Sequence, residues 1–180
     1  TPSVALTDGS LNTEEGCSTV CTAQGDLLFY TDGVTVYNKN HTVMANGTGL
    51  DGNASATQSS IIVQQPGSAI LYYIFTVDAH QNALRNGLNY SIVDLSQNGG
   101  LGAVTVKNTL LYGNEVCEKV TAVKHANGID FWILMHRWDS RDFYAYQLTA
   151  AGVSAPVIST IGVRHNSDRK SAIGYMKTSP

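Results

Sequence analysis

Apolar and polar positions recur along the chain in one order. Gln24 to Asn40 reads QGDLLFYTDGVTVYNKN. Leu27 to Thr31 is an aromatic and apolar run of strand length. Asp32-Gly33 is a tight-turn dipeptide, because Gly accepts positive φ and Asp tolerates it. Val34 to Asn38 alternates apolar and polar residues, as a half-buried strand does. One short strand is expected before this hairpin, Ser18 to Cys21, and one after it, Thr42 to Ala45. The pattern therefore predicts four strands in one antiparallel meander.

The same order returns downstream. SIIVQQPGSAILYYIFTVD opens a second unit, with a strand over Ser60 to Gln64 and a Pro66-Gly67 turn. Leu71 to Val77 is a near-continuous apolar strand, expected to be buried on both faces. Leu88 to Asp94 and Ala103 to Leu111 alternate on either side of the glycine turn Asn98 to Gly102. A third unit starts near Val120, with strands over Thr121 to His125, Asp130 to His136, Asp142 to Thr149 and Val157 to Ile161. Ala172 to Lys177 is read as the opening of a fourth, and Val4 to Leu6 as a strand of an earlier one.

The matching inner segments are LLFYTDG, LYYIFTVD and DFWILMHR. Units spaced by roughly 40 to 60 residues fall in the range of propeller blades. The predicted fold class is therefore all-β: a single β-propeller segment over 1–180, with blades at about 17–45, 60–111 and 120–161 and the start of the next at 172–180. A β-sandwich built from the same hairpins is the alternative. Three blades and a fragment do not close a ring of ~4 to 8 blades. Further blades of the same polypeptide, or neighbouring chains, are then expected as partners.

Direction alternates along a meander, so connections after the second and fourth strands of each unit share one end. The longer segments collect there: 46–59, 78–87, 112–119, 136–141 and 162–171. This asymmetry nominates one end for binding. The residues leaving the second strands are Asp32, Asp78 with His80, and His136-Arg137-Trp138-Asp139. These are the candidate ligand-binding residues. A Trp beside Arg and Asp suits sugar stacking or a protein hot spot. The competing expectation is that Trp138 packs between blades and Arg137 pairs with Asp139 or Asp142. Glu15 and Glu118 stand before first strands, to bind a cation or polar ligand or simply to accept from neighbouring backbone N–H groups.

Composition narrows the classes. Only 14% of the 180 residues are charged, and Gly, Ser, Thr and Asn abound, as in β-rich extracellular modules. A formal net charge of −3 gives no electrostatic footprint for nucleic acid. No apolar run approaches the ~20 residues of a membrane span, so direct membrane insertion is not expected. The chain starts at Thr1 without a Met, which is read as a processed or excerpted piece. Cys17 and Cys21 would sit about 13 Å apart on one strand, too far for a disulfide, and Cys117 could pair with either. Asp51-Gly52-Asn53 has calcium-loop flavour but lacks the bidentate Glu of an EF-hand. GxSxG, HExxH, CxxC and Gly-rich phosphate loops are absent. No catalytic residue, metal ligand or cofactor is assigned.

Several segments in order resemble one family: EEGCSTVCTAQGDLLFYTDGVTVYNKNHTVMANGTGL, SSIIVQQPGSAILYYIFTVDA, EKVTAVKHANGIDFWILMHRW and AIGYMKTSP. It is the propeller-like N-terminal region of large surface proteins of gliding gram-negative bacteria. Those proteins are exported by the type IX secretion system and commonly end in a gliding-motility-associated (type B) sorting domain. The repeated Cys of EGCSTVC departs from the commoner form and leaves the disulfide state open. The resemblance implies a secreted or outer-surface location and roles in adhesion, surface display or gliding, usually without enzyme activity. It supplies no ligand residues. The resulting expectation is a non-enzymatic recognition, adhesion or scaffolding module that meets a surface glycan or protein. The alternatives are a polysaccharide hydrolase or lyase on a propeller scaffold, which needs paired carboxylates in a cleft, and a purely structural spacer.

Overall fold

The computed structural model describes residues 7–179, so the Val4 to Leu6 strand expected from the sequence lies outside the described residues, as does Pro180. The chain is all-β. Its first meander consists of β1 (Ser18–Cys21), β2 (Leu27–Thr31), β3 (Thr35–Asn38) and β4 (Val43–Thr48). The second consists of β5 (Ser60–Gln64), β6 (Leu71–Val77), β7 (Leu88–Asp94) and β8 (Ala103–Tyr112). The third consists of β9 (Val116–Lys124), β10 (Phe131–Arg137) and β11 (Asp142–Thr149). Its fourth position is split between β12 (Gly152–Val153) and β13 (Val157–Thr160), both paired with β11.

The β2–β3 hairpin forms where Asp32-Gly33 predicts it. Gly33 takes φ 90°. The Asp32 carboxylate accepts from the Val34 and Thr35 amides at 2.8 and 2.7 Å, so its own backbone uses it to close the turn. The first two meanders join at their outer strands through one parallel bridge, Ala45 to Ala103. Their first strands also touch, with Ser18 Oγ donating to the Ser60 carbonyl at 2.7 Å. Eight strands thus nearly close around a core, and the third meander forms a second sheet.

β6 explains its own composition. Tyr72 and Ile74 point to one side, into a core with Phe29, Val36, Met44, Leu50, Val93 and Val104. Tyr73, Phe75 and Val77 point to the other, into a core with Val116, Val120, Ile133, Met135, Tyr146 and Leu148. A strand packed on both faces has no position left for a polar alternation. The second meander is therefore the middle layer of three.

Three expected strands differ from the structure by more than one residue. β4 runs to Thr48 rather than ending at Ala45, because Gly47 has no side chain to strike the Met44 and Val36 carbonyls. β9 starts at Val116, five residues before the expected Thr121, and takes in the buried Cys117 and Glu118 that the sequence suggested were loop. Buried hydrogen-bond partners replace the water that an exposed Glu would need. Residues 172–177 form no strand. A short 3-10 turn, Arg169–Ala172, is capped by Asp168, and the chain then runs irregularly beside Thr57 and Gln58, where the Met176 amide donates to Gln58 Oε1 at 2.8 Å. An isolated segment without a paired neighbour gains no ladder bonds.

Candidate functional site

The long connections do gather at one end, held by polar bonds between them. Glu118, fully buried in β9, is the hub. Its Oε1 accepts from the His80 amide at 2.7 Å and from His80 Nδ1 at 2.9 Å. Its Oε2 accepts from the Thr57 amide at 3.1 Å and the Thr57 hydroxyl at 3.3 Å. Asp78, also fully buried, accepts from Asn53 Nδ2 and the Ala79 amide on one oxygen, and from Asn82 Nδ2 and the Asn86 amide on the other. Each oxygen has two donors, as buried carboxylates require. Burial and the charge of Asp78 push the nearby Asp51 carboxyl up from its usual range. At the opposite end the short turns meet, with Gln65 Nε2 donating to the Ala150 carbonyl at 2.9 Å.

Beside this network a cleft of about 640 Å³ opens between four connections. Ala83 and Arg85 come from the segment after β6. Gly113, Asn114 and Glu115 lie between β8 and β9, Arg137 to Asp139 leave β10, and Arg164 and Arg169 follow β13. Backbone bonds fix these segments to one another: the Trp138 amide donates to the Glu115 carbonyl at 3.1 Å, and the Asp139 amide donates to the His165 carbonyl at 3.1 Å. Asp139 adopts φ 52°, which turns the chain sharply after the strand.

The four guanidinium groups are not equivalent. Arg169 grips Glu115 through Nη2 and Nε at 2.6 and 3.2 Å, with its guanidinium carbon 5.4 Å from the centroid of the Trp138 ring. Arg164 Nε stands 2.9 Å from Asp139 Oδ1, yet its N–H is aimed at the Asp139 carbonyl, 3.1 Å away. The carboxylate is thus charge-paired without a well-formed hydrogen bond from Arg164. Arg137 sits 3.6 Å from Asp142 Oδ2 and donates no hydrogen bond to any described residue. Asp142 does not depend on it: the Thr160 and Ser140 hydroxyls donate at 2.6 and 2.7 Å and, ahead of the Arg137 charge, hold its carboxyl below the usual range. Arg85 has neither an ion pair nor a side-chain hydrogen bond among the described residues, and it is exposed.

Behind the cleft, Cys117 Sγ lies 3.3 Å from His136 Nδ1. Both residues are buried, and the imidazole also packs edge-on against Phe143 and His165. Burial pushes the thiol up to about 11 and, together with the charges of His165 and Lys119, pushes the imidazole down to about 4. The pair is therefore a neutral thiol beside a neutral imidazole at pH 7, unlike an activated nucleophile. Cys17, Cys21 and Cys117 are all free thiols.

The structure divides the predicted site residues. Arg137, Trp138 and Asp139 line the cleft together. Asp32 is spent on its turn, Asp78 and His80 belong to the buried network, and His136 packs beneath with Cys117. Trp138 lines the cleft and also packs against Leu84, Cys117 and Ala172, while Arg137 stands 3.6 Å from Asp142, one of the two partners expected for it. Sequence reasoning missed Arg85, Glu115, Arg164 and Arg169. A signal was present: all five arginines of the chain fall in the long connecting segments, and four of them reach the cleft. Comparison of the chain with protein-family models, with curated proteins and with solved structures returned no match.

Proposed function

We propose that this chain is a non-enzymatic recognition module whose ligand docks in the cleft at the long-connection end. The observation that carries this reading is the convergence of four sequence-distant connections on one open, charged cavity over a rigid scaffold. The described residues around that cavity offer no paired nucleophile and base: its two carboxylates, Glu115 and Asp139, are each engaged by an arginine, and the one thiol–imidazole contact is sealed in the core.

In this reading the three meanders are blades of a β-propeller sector. The face-on packing of each meander against the next supports it, as do the neighbouring first strands β1, β5 and β9. Exposed apolar residues on the last strand and beyond, Val157, Ile158, Ile161 and Val163, suit cover by a further blade or a neighbouring chain. Taken with the resemblance to type IX-secreted surface proteins of gliding bacteria, the module works at the outer surface or in secreted form, in adhesion or scaffolding, with a glycan or protein as partner.

A glycan array and a pull-down against outer-surface fractions test the reading, each run with the intact chain and with Arg137→Ala. Binding that is lost in the variant supports it. Silence in both assays, with unchanged circular dichroism, refutes it. New reducing ends released from a polysaccharide would instead favour a hydrolase.

A further inference from the structure

We infer that the ligand of this cleft is an acidic saccharide, whose carboxylate or sulfate is held by Arg85 and Arg137. The inference rests on the recognition reading above and adds the chemistry of the ligand. The chain carries a formal net charge of −3. Yet the cleft is lined by four arginines against two carboxylates, so the local balance is opposite to that of the whole chain. Arg164 and Arg169 are paired across the cleft lining, with Asp139 and Glu115, while Arg137 stands 3.6 Å from Asp142 behind the lining and donates no hydrogen bond to it. Arg85 and Arg137 are the two whose guanidinium groups donate no hydrogen bond to any described residue, on walls contributed by different connections. A guanidinium presents five N–H donors in a planar fork that matches a carboxylate or sulfate.

The rest of the lining selects among anions. Glu115, Asp139 and Asn114 add acceptors beside the arginines. A polyphosphate or nucleic acid would place further charge against those carboxylates, whereas a sugar acid offers one anionic group and several hydroxyls that donate to them. Only Ala83 and Trp138 are apolar among the lining side chains, and Trp138 already carries Arg169 against its ring. Such a wall gives an acidic peptide little apolar surface to bury.

The test titrates the full chain with oligogalacturonate, with its methyl ester (which masks the carboxylates on the same backbone), with a sulfated galactan oligosaccharide and with poly-glutamate. Calorimetry at low and high salt reads the affinities. At least one acidic sugar should bind, more weakly in high salt. If the carboxylate is the source, the ester binds at least about tenfold more weakly; if the sulfate is, only the galactan binds. Arg85→Gln and Arg137→Gln should each weaken binding about tenfold or more, with thermal unfolding unchanged, while Arg141→Gln leaves binding intact. Equal binding of acid and ester, indifferent to both substitutions, overturns the inference and leaves a recognition module for neutral ligands. Poly-glutamate binding as tightly as the sugars overturns the saccharide assignment. Failure of both acidic sugars to bind overturns the inference outright, with the recognition reading judged separately by the array and pull-down.

Discussion

Replacing Glu118 by Gln tests whether the long connections are held by one buried carboxylate. The four donors on its two oxygens lie at 2.7 to 3.3 Å. Gln keeps the shape but exchanges one acceptor oxygen for an NH₂ group. If the NH₂ faces Thr57, the hydroxyl can rotate to accept, but the Thr57 amide cannot. If it faces His80, the ring can change tautomer, but the His80 amide cannot. Either way one buried backbone N–H loses its partner, which costs about 1–3 kcal/mol. The remaining bonds also lose their charge assistance, worth roughly another 1 kcal/mol. The expected loss is about 2–4 kcal/mol, a large part of the roughly 5–15 kcal/mol that holds a domain together. Urea unfolding followed by circular dichroism measures it through the midpoint at constant slope. His80→Ala, which removes only the ring bond and spares the amide, should cost about 1 kcal/mol. A Glu118→Gln protein within about 0.5 kcal/mol of wild type would show that water satisfies these donors and that the hub argument is wrong.

Three further outcomes follow from the packing. Phe75→Ala empties a fully buried position between the second and third meanders and should cost about 3–5 kcal/mol in the same assay, whereas Leu110→Ala, at 58% exposure, should stay within about 0.5 kcal/mol. The His136 imidazole is held at about 4 in the folded chain against an ordinary 6.5. Its contribution to stability is therefore complete above pH 6.5 and is lost as the pH falls from there towards 4. Imidazole ¹⁵N shifts should show this ring still neutral at pH 5, and a titration near 6.5 would contradict its burial. Of the three thiols, exposed Cys17 and Cys21 should react with a disulfide reagent at pH 8 within minutes, while buried Cys117, pushed up to about 11, should react only on unfolding.

Those predictions draw on features of unequal legibility in the sequence. The Asp32-Gly33 turn and the two-sided burial of β6 could be read directly, because turn chemistry and strand period are local properties. So could the gathering of long connections at one end, which follows from strand alternation alone. The place of Asp32 is set by the same local rule: a carboxylate at a turn finds its nearest donors in its own backbone, here the Val34 and Thr35 amides. Glu118 offers the opposite lesson. A Glu beside a Cys and a Lys looks like loop, and only donors arriving from residues 57 and 80 make its burial tolerable.

By itself, the order of apolar runs and turn dipeptides determined that this chain folds as successive antiparallel meanders, since backbone geometry and side-chain period act over a few residues. Which side chains would share a cavity was decided by the tertiary structure. Arg85, Glu115, Arg137 and Arg169 stand 22 to 84 positions apart along the chain and meet only because the second and third meanders pack against each other. Charge neutralisation depends on distance in space, so the distinction between an arginine that is paired and one that is free for a ligand exists only after the layers have packed.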